Sequence, residues 1–175
     1  MKIHISVSWV FALFLSLTLL VPVGSAAHVD HLIPVVPNPE LTTGALCSES
    51  DPDFVEYRYP EQVPWCRRNV WSRDRRAVYR AYNIPQECQA GHHPYIIDHF
   101  IPLSLGGSNS HTNLWPEHHL VGKHWGEFEY ELFLRLSDGE ITQQEAIEAI
   151  IRAKTQLDLD LSSVRGCGRA ENLAN

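Results

Sequence analysis

No second long apolar run follows the one at the N-terminus of this 175-residue chain, so the body of the protein does not cross a membrane repeatedly. No C-x-x-C pair occurs among its four cysteines, Cys47, Cys66, Cys88 and Cys167, which argues against a cysteine-built zinc site. Positive charge is not in excess either. The formal net charge is −7, which speaks against coating nucleic acid by bulk charge. Internal repeats and low-complexity segments are missing as well.

What is there begins with an export signal. Met1-Lys2 gives a short positive start, Trp9–Val21 is almost entirely apolar, and Gly24-Ser25-Ala26-Ala27 offers small residues for cleavage. Residues 1–26 read as a signal peptide, with an uncleaved anchor as the alternative. Its removal takes away Lys2, shifts the charge from −7 to −8, and leaves about 149 residues, one domain by size. No stable membrane insertion is expected after cleavage. The even cysteine count in an exported chain favours two disulfides, each contributing about 3 kcal/mol, with three connectivities open. The expected layout is an extended, proline-punctuated leader over 27–45 (Pro34, Pro37, Pro39), a domain over 46–165 and a tail over 166–175.

Patterning within the domain predicts an α+β fold. Val55, Tyr57 and Tyr59 alternate as in a short strand. Ser72 can cap a helix running to about Tyr82, with Val78, Tyr79 and Tyr82 inward, ended by Pro85. Tyr95–His99 is a strand by composition, Gly106–Asn109 a turn, and Asn113–Pro116 the return of the chain. Lys123–Ser137 reads as a helix with Trp125, Phe128, Leu132 and Leu136 on one stripe, closed by Gly139. Thr142 and Glu145 form a capping box for a last helix that buries Ile147, Ile150 and Ile151.

Two groups of residues suggest chemistry. Arg67, Arg68, Arg73, Arg75, Arg76 and Arg80 are six of the 14 basic residues, packed into 14 positions and interrupted only by Asp74. Arg73, Arg75 and Arg76 suit contact with phosphates, and a solvated helix face is the other reading. The second group centres on Asp98 and His99. Adjacent side chains on a strand point to opposite faces, so one can hold a metal while the other holds a water. Asn113 lies 14 positions beyond His99, followed by His118, His119 and His124. Asp and His are both acceptable ligands for divalent cations. His92 and His93 read as loop residues and His111 as a surface residue.

The string Ile97-Asp98-His99-Phe100-Ile101-Pro102-Leu103-Ser104-Leu105-Gly106-Gly107-Ser108-Asn109, followed by Asn113-Leu114-Trp115-Pro116-Glu117, closely resembles the HNH endonuclease family. It is most similar to the exported bacterial branch with DH-x-IPL-x-LGGSN and NLWP motifs. A weaker resemblance extends from Leu41 through the arginine helix to about Ile151. The resemblance implies a small disulfide-stabilised α+β domain built on a ββα-metal finger, a hairpin and a helix clamping one divalent ion with flanking helices. Mg²⁺ is the first choice, with Mn²⁺, Ni²⁺ or Zn²⁺ as alternatives. It further implies His99 as the general base, Asn113 as the residue orienting it, and Asp98 as a metal ligand. The third ligand stays open between His124 and, in reserve, His119, with His118 behind them. Glu127 or Glu129 stands where the family places a helix acid. The implied activity is hydrolysis of phosphodiester bonds in DNA, RNA or both, leaving a 5′-phosphate and a 3′-hydroxyl. The setting would be secreted or periplasmic, with nucleic acid as the partner and an immunity or inhibitor protein left open. The alternative is a catalytically degenerate HNH-like module that binds nucleic acid or metal.

Overall fold

A computed structural model describes residues 34–89 and 95–160. The signal segment 1–26, His92, His93, the tail 166–175 and Cys167 within it lie outside the described residues.

The chain first forms a hairpin. Strands β1 (Phe54–Arg58) and β2 (Val63–Cys66) pair antiparallel, with Phe54 opposite Cys66 and Arg58 opposite Val63. The strand predicted from Val55, Tyr57 and Tyr59 is present, but Val55 and Tyr57 face solvent. Tyr59 lies beyond its end, where its hydroxyl donates to the Ser104 carbonyl at 2.7 Å. Cys47 and Cys66 form a disulfide that clips the preceding segment to the end of β2. Cys88 is disulfide-bonded as well.

The segment before β1 is tied down by hydrogen bonds although it is irregular. Thr42 Oγ1 donates to the Leu114 carbonyl at 3.0 Å, Gly44 N–H to Thr112 at 2.8 Å and Cys47 N–H to Gly106 at 2.8 Å. Leu46 bridges Gly107. The last residues of the expected leader are therefore part of the folded domain.

Helix α1 (Ser72–Ala81) is amphipathic, with Val78 and Tyr79 buried. Ser72 is its first helical residue and does not cap it. Trp71 takes the N-cap position, and the Asp74 carboxylate accepts the Trp71 N–H at 2.9 Å. A carboxylate in the first turn also complements the helix dipole. A short helix, α2 (Gln86–Gln89), comes after Pro85.

The central element is a second hairpin. Strands β3 (Tyr95–His99) and β4 (Leu114–His118) pair antiparallel, from Tyr95 opposite His118 to His99 opposite Leu114. Every residue of β4 is buried, because both faces of the hairpin are covered. On one face Tyr95, Ile97 and Leu114 pack against Val78 and Tyr79 of α1. On the other, Trp115 packs with Phe100, with Val121 of α3 (His119–Gly122) and with Trp125.

Residues 100–113 connect the two strands through two 3₁₀ turns, Leu103–Leu105 and His111–Asn113. Asn113 staples this loop from inside. Its Oδ1 accepts the Ile101 N–H at 2.9 Å, and its Nδ2 donates to the Ile101 and Ser108 carbonyls, each at 2.9 Å. Gly107 is required by the same closure, since a Cβ there would run into the Ile101 carbonyl.

The helix predicted from Lys123 begins later. Residues 123–125 form a turn, with His124 N–H bonded to the Val121 carbonyl and Trp125 N–H to Gly122, and helix α4 spans Gly126–Ser137. Trp125 is pulled into the core, where its indole donates to Glu117, and this sets the late start. Gly139 (φ 73°) turns the chain into α5 (Gln143–Thr155), which carries the predicted Thr142–Glu145 capping box. Leu132 and Leu136 of α4 meet Ala146 and Ile150 of α5 over Val63, Ile101 and Leu105. The described residues thus make a small α+β fold with two two-stranded antiparallel sheets and five α-helices. No helix among them is long and apolar enough to cross a membrane.

Candidate active site

His99 ends β3 and is 3% exposed. Two groups hold its ring. Arg68 Nη1 lies 3.3 Å from Nδ1, and Asn109 Oδ1 lies 3.1 Å from Nε2. A guanidinium only donates, so Nδ1 must be the acceptor, and Nε2 must carry the proton given to Asn109. The orientation of the Asn109 amide is fixed in turn. Its Nδ2 donates to Asp53 Oδ2 at 3.0 Å and to the Arg67 carbonyl at 2.9 Å, while its Oδ1 also accepts the Asn69 N–H at 3.2 Å. Asp53 is held by Asn69 Nδ2 at 2.6 Å. Burial, with a smaller contribution from the charge of Arg68, pushes the pKa of His99 below the usual histidine value, against the pull of the Asn109 hydrogen bond. The ring is therefore a neutral imidazole with one nitrogen lone pair directed at an arginine. Arg68 itself is exposed, although its Nη2 also donates to the Ile97 carbonyl at 2.7 Å.

Asp98 points to the other face of the hairpin, as strand alternation requires. There it meets a cation from the same chain. Lys154, in the last turn of α5, is completely buried. Its ammonium donates to Asp98 Oδ2 at 3.2 Å, to Glu129 Oε1 of α4 at 2.6 Å and to the His99 carbonyl at 2.9 Å. Glu117 of β4 lies on the same face, with Oε2 accepting the Trp125 indole N–H at 2.8 Å. Burial, reinforced by the charge of Asp98, pushes the Glu117 carboxyl up to about 7. Glu129 is also raised by burial, against the pull of Lys154. Burial alone would lower the Lys154 pKa, but Asp98 and Glu129 outweigh it and raise it.

The residues expected to hold a metal do not assemble into one site. His118 sits at the opposite end of the hairpin from His99 and is buried, its Nδ1 accepting the Leu120 N–H at 3.2 Å. The ring of His119 stacks on it at 4.4 Å. His124 is exposed in the turn before α4, beside Trp125. Among the described residues the one group of three His, Cys, Asp or Glu side chains close enough to share an ion is Cys47, Asp51 and Cys66. Its two sulfurs are joined in a disulfide and offer no thiolate, the form in which cysteine binds metal. The oxygens around Asp98 are already taken by an ammonium, which leaves no room there for the expected ion.

No family model, curated protein or solved structure matches this chain.

The Asn113 side chain hydrogen-bonds backbone groups of the loop rather than the His99 ring, which Asn109 holds. Arg73, Arg75, Arg76 and Arg80 lie exposed on α1, and Arg73 approaches Asp74 at 3.6 Å. Asp74 also receives His111 Nε2 at 3.2 Å, and the His111 side chain is exposed as expected. Sequence reasoning did not single out Asn109, Asp53 or Lys154 as site residues. It counted Arg68 among the basic residues without assigning it a task. Asn109 had one visible signal, as the last residue of the LGGSN motif. Asp53 and Lys154 had none, since they lie 46 and 55 positions from His99 along the chain.

Proposed function

We propose that this chain is an exported endonuclease that hydrolyses phosphodiester bonds of DNA, RNA or both, with His99 as its general base. The observation that carries the reading is the neutral His99 imidazole, clamped by Asn109 and facing the exposed Arg68 guanidinium. The hairpin-then-helix order of β3, β4 and α3–α4 supports it, because that is the order of the ββα finger that the resemblance to HNH endonucleases implies. The disulfides support an oxidising compartment, secreted or periplasmic.

In this reading a phosphodiester monoanion draws the Arg68 guanidinium away from the ring. Arginine suits this task because its planar fork matches phosphate oxygens. Nδ1 is then free to take a proton from an attacking water, whose oxygen bonds to phosphorus as the bond to the leaving oxygen breaks. The leaving oxygen takes its proton from solvent. Asn109 holds the protonated ring in place through Nε2, and the phosphate offsets the Arg68 charge that otherwise disfavours an imidazolium. The exposed arginines of α1 supply phosphate contacts along the strand. No step here passes through a metal, since Asp98 is already paired with Lys154.

A specific observation favours the second reading, a degenerate module that binds nucleic acid without cutting it. His99 is nearly fully buried, and the carboxylate next to it is occupied. The two readings separate on supercoiled plasmid and on RNA, each incubated with the purified protein in EDTA or in Mg²⁺, Mn²⁺, Ni²⁺ or Zn²⁺. The nuclease reading expects nicking that His99→Ala lowers by roughly 10²–10⁴-fold. Retarded but intact substrate under every condition, unchanged by His99→Ala, replaces it with the binding module.

A further inference from the structure

The cluster on the Asp98 face has the oxygen donors of a hard-cation site. Two carboxylates, Asp98 and Glu129, and one backbone carbonyl, that of His99, converge on a single point, and a third carboxylate, Glu117, stands nearby on the same face. Carboxylates mixed with carbonyls are the donors that Ca²⁺ and Mg²⁺ prefer. The point on which they converge is occupied by Lys154 Nζ. An ammonium has three N–H donors, and each finds one of the three oxygens, at 3.2, 2.6 and 2.9 Å. No donor is left over, and the side chain is wholly buried. The position comes from three distant parts of the chain: the end of β3, the first turn of α4 and the last turn of α5.

We propose that Lys154 is a built-in cation that fills this oxygen cage in place of a divalent metal ion, so that the native protein takes up no divalent ion at Asp98. The cage is closed by folding, because the cation arrives with α5 rather than from solution. Deleting the ammonium leaves Asp98, Glu129 and the His99 carbonyl around a void with surplus negative charge, so the cage becomes a site for an external hard cation. This inference stands apart from the proposed nuclease activity.

Terbium(III) tests it directly, as a hard, oxygen-seeking ion whose emission is sensitised by nearby tryptophan. Trp125 touches Glu117 and Trp115 pairs with Asp98 across the hairpin, so both sensitisers are in place. The wild-type protein titrated with Tb³⁺ should show no saturable tryptophan-sensitised emission. Lys154→Ala should gain such emission, with at least tenfold tighter apparent binding, competed by Ca²⁺ and removed again in Lys154→Ala/Asp98→Asn. Saturable emission from the wild type that Asp98→Asn abolishes overturns the proposal. So does a folded Lys154→Ala that binds no more Tb³⁺ than the wild type. Where Lys154→Ala does not fold, the comparison of wild type with Asp98→Asn decides alone. No arm measures cleavage, so a negative nuclease assay and a failure of this proposal remain distinguishable.

Discussion

The two faces of the β3–β4 hairpin each set a basic side chain against ionisable groups, and they do so in opposite ways. On the His99 face the cation is Arg68, exposed and bonded to one ring nitrogen and one carbonyl. On the Asp98 face it is Lys154, buried, with every donor used. An exposed guanidinium can leave its partner at small cost, because water and screening replace what it loses. A buried ammonium cannot, because its partners would be left charged in a medium that solvates them poorly. The first face is therefore able to exchange an internal contact for a ligand, while the second is closed.

Substitution of the two cations gives the largest expected difference. Lys154→Met should lower unfolding stability by about 3–5 kcal/mol, the usual result of breaking a buried ion pair from one side. Arg68→Met should cost about 1 kcal/mol, the net worth of exchanging a protein hydrogen bond for water. Urea denaturation of both variants measures this, and equal losses would erase the distinction between an open and a closed face.

The next effect is in pH. Glu117, pushed up to about 7, keeps a proton in the folded state that the unfolded chain releases near 4.5. Its contribution to stability is therefore present below about 4.5 and is lost as pH rises toward 7. His99 runs the other way. Its depressed pKa means that the unfolded chain takes up a proton first as pH falls below 6.5, so its contribution is present above 6.5 and falls on acidification. Relative to wild type, Glu117→Gln should gain thermal stability at pH 8 compared with pH 5, and His99→Gln should gain at pH 5 compared with pH 8. Differences of the same sign in the two variants would contradict the assigned environments.

The smallest effect concerns the outer arginines. If Arg75 and Arg76 meet phosphates, their joint replacement by Ala should flatten the logarithmic salt dependence of duplex-DNA binding by roughly 0.9 per lost contact, while thermal unfolding stays near that of the wild type. An unchanged slope assigns those side chains to solvated helix surface.

Much of the fold was legible in local pattern. Helix α1, strand β3, the return at Leu114, the Gly139 stop and the Thr142 capping box all arise from residues within a few positions of one another. The start of α4 did not, because Trp125 is withdrawn from the helix by Glu117 of β4, and helical periodicity carries no record of such a contact. The candidate site divides in the same way. The opposite orientation of Asp98 and His99 came from strand alternation alone. The partner of each did not. Asn113, to which the resemblance had assigned the ring, turned inward to satisfy Ile101 and Ser108, and Asn109 took the histidine.

The sequence by itself determined the α+β order of elements and the placing of an Asp-His pair at a strand end. It also set the concentration of arginines on one helix. Those features are encoded in side-chain period, capping chemistry and charge over short stretches. Only the tertiary structure decided what faces that pair. It brought Arg68 and Asn109 to the ring, and it carried Lys154 from the last turn of α5 into the cage where a metal was expected. The physical reason is that pairing of buried charge depends on distance through space, and Asp98 and Lys154 are 56 residues apart along the chain but 3.2 Å apart in the fold.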